Sequence, residues 1–201
     1  MLPVIPLPLA HLPVHGGLAV PSTAARHRSG LPVFGLHDPL RLRRCLRRRL
    51  CGICDAPFGV DDRIALMLRP MDFTRGYAGE AGLHPHCAAY ARRACPALSQ
   101  QTTRYRATAR SVRCGDDLCE CRFWTLPPTS PSGTGAALPP FYIAWMRAVD
   151  YRAVPDSARP SRLQVDLREV SFLKVRLVTP NPPDPIDMGR ILLAGLPMPI
   201  D

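Results

Sequence analysis

LHPHCAAYARRACP, residues 83–96, holds two histidines, two cysteines and two arginines. Its reading decides the fold. It is the second half of a metal clamp, a catalytic Cys/His pair, or the plain start of a helix. The stretch reads as helical, and Pro96 ends the helix near Cys95. His84 and Cys87 are three residues apart, so both can face one ion from the first turn. A helix N-terminus also favours an anionic thiolate at Cys87. His86 adjoins Cys87 directly and faces elsewhere, so His84 is the expected ligand.

Upstream, Cys51-Gly-Ile-Cys54 has the two-residue gap of a zinc knuckle. One tight turn then aims both thiolates at a single ion while backbone amides donate to the sulfurs. The position after the second cysteine needs left-handed backbone. Glycine is usual there; Asp55 is one of the few other types that tolerate it. Cys51, Cys54, His84 and Cys87 are therefore the expected ligands of one structural Zn2+. The competing readings are buried free cysteines and a redox pair, but the latter lacks its βαβ surroundings. Cys95, Cys114, Cys119 and Cys121 are candidates for a second metal site. The one-residue gap at Cys119-Glu-Cys121 is tight for zinc, and Cys95 sits at the far end of its helix. The alternative places Cys95 in the core and leaves the other three as partly exposed thiols. Cys45 is expected in the core.

Around this centre the 201-residue chain allows one modest domain with arms. Its 24 prolines cluster in 1–40, 127–140 and 180–201. The expected divisions are a Pro-rich arm over 1–35, with short strands at GGLAV and LPVF or none at all, a zinc-binding core over 36–126, a linker over 127–140 and a C-terminal strand pair with a Pro-rich tail over 141–201. The tail has room for one helical turn around Met188–Ala194. Asp38 is a good N-cap with Pro39 at the first helical position. The helix it opens puts Leu42, Cys45, Leu46 and Leu50 on one stripe and arginines on the other faces. RIALMLRP reads as a strand, and residues 72–82 as a loop or the return of a hairpin. TTRYRATARSVRC reads as a basic strand, and CGDDLCECRFW as a tight turn leading into a strand. FYIAWMRAVDYRAV and LREVSFLKVRLV read as strands. Knuckle, hairpin, then ligand-bearing helix is the order of a treble clef, so the fold class is α+β: a small treble-clef-like zinc-finger core with antiparallel strands, two main helices and Pro-rich arms.

RRCLRRRLCGICDAP followed by LHPHCAAYARRACPAL resembles a group of small uncharacterised proteins of high-GC actinobacteria and their phages. The resemblance covers roughly residues 30–100 well and the rest loosely. It implies zinc at Cys51, Cys54, His84 and Cys87 and carries no activity with it. The chain departs from that group at Asp55, where glycine is usual, and in its CGDDLCEC insert.

The formal charge is +10, and every basic residue except Lys174 is arginine. A GC-rich genome produces that Arg skew, which weakens its functional meaning. The excess charge still favours acidic partners, nucleic acid first. Arg41, Arg44, Arg47, Arg48, Arg92 and Arg93 are the candidate phosphate contacts. Arg43, Arg49, Arg104, Arg106, Arg110 and Arg113 are further basic positions, and Tyr90 and Tyr105 candidate stacking residues. The bland alternative for the first helix is a solvated face whose Arg stems cover the core edge. No secretion signal and no apolar run near the roughly 20 residues of a membrane helix is visible, so a cytoplasmic setting is expected, with no membrane and no evident small-molecule substrate. A thiol hydrolase needs an oriented base from elsewhere in the fold. A metal-dependent nuclease needs a hairpin histidine, and residues 55–83 have none. The sequence therefore favours a non-catalytic zinc-binding protein that contacts nucleic acid. The alternative is a zinc-stabilised protein–protein adaptor, and a nuclease fits less well.

Overall fold

The computed structural model describes residues 2–104, 113–123 and 137–178. Residues 105–112, most of the 127–140 linker, the strand expected after CGDDLCEC and the turn expected at Met188–Ala194 lie outside them.

Helix α1, Pro39–Arg48, begins as the sequence predicts. Asp38 Oδ1 accepts from the backbone amides of Leu40 and Arg41 at 2.9 and 3.0 Å, capping the first turn. Cys45 and Leu46 are buried and Leu42 packs beside them. The helix ends where Arg49 turns left-handed, φ 55°.

The centre of the fold is a three-stranded antiparallel sheet. Its order is β10 (Lys174–Leu177), β7 (Tyr142–Arg147), β5 (Arg63–Leu68). All six residues of β5 pair with β7, from Arg63 opposite Arg147 to Leu68 opposite Tyr142. Five of the six β5 residues are buried in an unbroken run, as a strand covered on both faces requires. Ile64, Leu66, Leu68, Tyr142, Ala144 and Met146 point into a core shared with Cys45 and Leu46 of α1. Ala65, Met67 and Ile143 alternate to the other face, into a core shared with Cys51, Cys87 and Tyr90. The two ten-residue helices thus lie on opposite faces of one sheet. The second of them, α3, runs Pro85–Ala94 and stops at Cys95, one residue before Pro96.

Mixed α+β architecture is as expected, but the hairpin between knuckle and helix is not formed. Residues 72–82 instead contain most of a short helix, α2 (Pro70–Arg75), and the two-residue strand β6 (Tyr77–Ala78). Only Leu83 returns to β5, in a single bridge to Ala65. The β5 partner expected from 72–82 is supplied by β7, about eighty residues downstream. A second three-stranded sheet has the order β6, β9 (Leu163–Asp166), β8 (Ala153–Pro155). FYIAWMRAVDYRAV is therefore two strands, β7 and β8, separated by a 3-10 turn at Ala148–Asp150. In LREVSFLKVRLV only the last part, β10, is strand.

The N-terminal segment forms two hairpins: β1 (Val14–His15) with β2 (Leu18–Ala19), and β3 (Ala24–Arg26) with β4 (Pro32–His37). Short strands thus occur at both expected places. Leu9 and Leu12, just before them, are buried in the core that contains Cys51 and Cys87.

Candidate metal centre

The Leu50–Pro57 stretch folds back on itself through an isolated β-bridge between its ends. Inside it the Cys51 amide donates to the Ala56 carbonyl at 2.9 Å and the Asp55 amide to the Cys51 carbonyl at 3.0 Å. That closure needs one left-handed residue, and Asp55 supplies it with φ 63°. Its carboxylate is held in turn by the guanidinium of Arg44 and by the Cys45 thiol. Both knuckle sulfurs face inward: Cys51 and Cys54 are buried.

The other two donors come from the start of α3. His84 is its N-cap residue, with extended backbone, and Cys87 lies one turn further on. The His84 amide donates to Cys51 Sγ at 3.5 Å, and His84 Nδ1 stands 3.4 Å from Cys54 Sγ. The donor atoms of Cys51, Cys54, His84 and Cys87 all lie within 4.8 Å of one another. A tetrahedral ion with bonds of roughly 2.0–2.3 Å separates its ligands by roughly 3.3–3.8 Å, so the set can close on one ion with small movements. The outward nitrogen of His84, Nε2, faces Asp62 at 3.8 Å. A carboxylate behind a ligating imidazole fixes its tautomer and ring orientation. The ring of Phe58 meets His84 edge-on at 4.9 Å. His86 is exposed and stacks on His84 at 5.3 Å, outside the donor cluster.

The electrostatics of the four donors point to a cation. Hydrogen bonds from Cys54 and Cys87 hold the Cys51 thiol far below its ordinary range. The hydrogen bond to Cys51 pushes the Cys54 and Cys87 thiols up. By itself the pocket supports one thiolate and keeps its neighbours protonated. A divalent ion at the centre removes that conflict and lets all three ionise.

The N-terminal segment clasps the knuckle, which no sequence spacing announces. Ser22 Oγ and Thr23 Oγ1 each donate to the Gly52 carbonyl at 3.0 Å, the Ser22 amide donates to the Ile53 carbonyl at 2.9 Å, and His11 Nε2 lies 3.1 Å from the Cys54 carbonyl. Tyr90 serves the same clasp. It is buried, and its hydroxyl accepts from the Ala19 amide at 2.8 Å. It is therefore unavailable for stacking on a base, contrary to expectation.

A second cluster gathers Cys114, Cys119 and Cys121, but its fourth member is His27 and not Cys95. Cys95 caps the end of α3, its amide bonded to the Ala91 carbonyl at 2.8 Å, and packs half-buried against the core around Ile143. His27 stands in the turn between β3 and β4 and has no ligand-like partner nearby in sequence, so spacing could not have found it. The one-residue gap is accommodated by a 3-10 turn over Glu120–Phe123 that begins just after Cys119. Cys119 and Cys121 are buried, not exposed thiols.

Arg41, Arg44, Arg47 and Arg48 are exposed on α1, and Arg92 and Arg93 on α3. The two groups belong to helices on opposite faces of the central sheet. Arg44 is paired with Asp55 and Arg41 with Asp38. Arg43, Arg47 and Arg48 have no carboxylate partner among the described residues. Arg49 is half-buried and bonds the Ala148 carbonyl. Arg104 and Arg113 are exposed; Tyr105, Arg106 and Arg110 lie outside the described residues. Among those residues no helix is long and apolar enough to cross a membrane. Comparison of the chain with family models, curated proteins and solved structures finds no match, so the centre is read from its own geometry.

Proposed function

We propose that the Cys51, Cys54, His84 and Cys87 centre holds zinc as a structural ion, and that the protein works by binding nucleic acid through α1, without catalysis. Three thiolates and one imidazole in a near-tetrahedral set suit zinc, and four protein ligands leave no open position for a reacting water. The observation that carries the nucleic-acid reading is the exposed row Arg43, Arg47 and Arg48. The helix bearing it runs within three residues of the first knuckle cysteine, so the metal core fixes its direction. Arginines on a rigid helix with no internal carboxylate partner are suited to phosphate oxygens.

The test is binding of a fluorescent 20-base-pair duplex across a salt series. Affinity is expected to fall steeply with salt, and Arg43→Ala/Arg47→Ala/Arg48→Ala to flatten the log–log slope by roughly 3 while leaving the melting temperature unchanged. Equal, salt-insensitive binding by parent and triple variant, or none by the parent, would remove this reading. A second reading, an adaptor for a protein partner, has its own observation: Leu2, Val4 and Leu7 are all more than half exposed near the N-terminus.

A further inference from the structure

We propose that His27, Cys114, Cys119 and Cys121 bind a second metal ion of zinc's class, and that this ion fastens the tip of the β3–β4 hairpin to residues 113–123. The proposal is independent of any role for α1. The four donor atoms lie within 4.8 Å of one another. Cys114 Sγ and Cys121 Sγ are 3.5 Å apart, and Cys119 Sγ and His27 Nδ1 are 3.8 Å apart. These separations match the roughly 3.3–3.8 Å that a tetrahedral ion imposes. Two backbone amides already donate to the sulfurs: Arg28 to Cys119 at 3.3 Å and Cys114 to Cys121 at 3.4 Å. Such amide donors support thiolate charge in knuckle sites.

Burial gives the second, independent observation. Between Arg113 and Arg122 the only buried side chains are Cys119 and Cys121, while Leu118 is 71% exposed. Among the described residues of this stretch no apolar side chain other than the two cysteines is buried. Its ion pair to the hairpin, Arg28 to Asp116, spans 4.0 Å between exposed groups, and such a pair contributes little. Buried thiols in a stretch whose described apolar side chain is exposed need another source of cohesion, and metal ligation supplies it, since binding free energy becomes folding free energy. The hairpin presents its share in fixed form. The His27 amide bonds the Leu31 carbonyl at 2.9 Å and the Gly30 amide bonds the His27 carbonyl at 2.8 Å. His27 and the Arg28 amide therefore reach the thiols from one rigid turn.

The experiment is zinc per chain, measured by mass spectrometry on untagged full-length protein purified under reducing conditions. It is paired with native alkylation of thiols and competition by a zinc chelator. Two ions are expected in the parent and in Cys95→Ser, and one in Cys119→Ser/Cys121→Ser. His27→Ala should surrender the second ion at least as readily as the roughly 10–100-fold loss that follows removal of a mere outer partner, and His27→Cys should retain it. The proposal is overturned by one ion in the parent with Cys114, Cys119 and Cys121 all alkylated, by a Cys114–Cys121 disulfide in the parent, or by His27→Ala behaving as the parent. Two ions in Cys119→Ser/Cys121→Ser would also overturn it. The ion that Cys119→Ser/Cys121→Ser keeps reports on the first centre alone, so failure of either assignment is read separately.

Discussion

Asp55 links the backbone, the charge and the metal ligands in one residue. Its left-handed φ closes the knuckle, and its carboxylate ties down Arg44 and Cys45 on α1. The Cys45 thiol is pushed up to about 11, by burial first and then by the charge of Asp55. It therefore stays protonated and can donate to that carboxylate. Substitution separates these roles. Asp55→Gly keeps the conformation and loses the half-exposed Arg44 ion pair and the Cys45 thiol hydrogen bond, together worth about 1–2 kcal/mol. Asp55→Val must hold a β-branched side chain at positive φ and should cost about 1–2 kcal/mol more. Chemical unfolding of the two variants at equal zinc should show that order; Asp55→Val no less stable than Asp55→Gly would mean the turn does not depend on left-handed backbone.

At the scale of elements, Gly82 is the joint between the knuckle, the central sheet and the lead into α3. Its carbonyl accepts from the Gly52 amide at 3.0 Å and its amide donates to the Tyr151 hydroxyl at 3.1 Å. A Cβ there would come within 2.5 Å of Ile64 and 3.0 Å of Tyr151. Both are buried side chains with little room to yield. Gly82→Ala should therefore destabilise the protein by about 1–3 kcal/mol and loosen the first centre, which sits two residues away at His84. A melting temperature equal to the parent's would show that the contact relaxes freely. This scale also shows what the sequence could and could not disclose. The knuckle, its left-handed Asp55, the N-cap of α1 and the His84/Cys87 pair are local patterns, fixed by neighbours within four residues, and were legible, whereas the left-handed end of α1 at Arg49 was not. The pairing of β5 with β7, the strand β9 and the ligand-like place of His27 depend on partners tens of residues away. A two- to four-residue strand such as β6 or β9 buries too little to leave a periodic trace, and a lone histidine in a turn carries no spacing at all.

At the scale of the molecule, the first centre joins the knuckle to the start of α3, and the N-terminal clasp is hydrogen-bonded to both. Cys51, Cys54 and Cys87 sit in the same core as Leu9, Met67 and Ile143. Removing the ion should cost more than ligation alone, because the lone thiolate that remains is then buried in an apolar interior with no cation beside it. Cys51→Ser or Cys87→Ser is expected to unfold this side of the sheet, seen as loss of the cooperative melting transition; full zinc content with the parental transition would refute the assignment. Acid should act in the same direction. The ligands bind metal deprotonated, so stability derived from a bound ion should be full at neutral pH and lost as pH falls and protons displace the ion. Titration toward acid with a zinc indicator should show release accompanying the loss of structure.

The middle strand of the central sheet, β7, reaches its partner β5 from far along the chain. All four ligands of the first centre lie between residues 51 and 87, whereas β7 begins at Tyr142. On a chain emerging from the ribosome, the four donors that flank β5 are complete, and Leu83 has bridged to Ala65, long before β5 meets the strand that pairs with its whole length. The β5 edge must wait through the synthesis of more than seventy further residues, several seconds at roughly 5–20 residues per second. Early capture of zinc would hold the knuckle and α3 together over that interval and cover one face of the waiting strand. A metal ion supplied during translation, and not only afterwards, would thus ease the route of this topology to its native state.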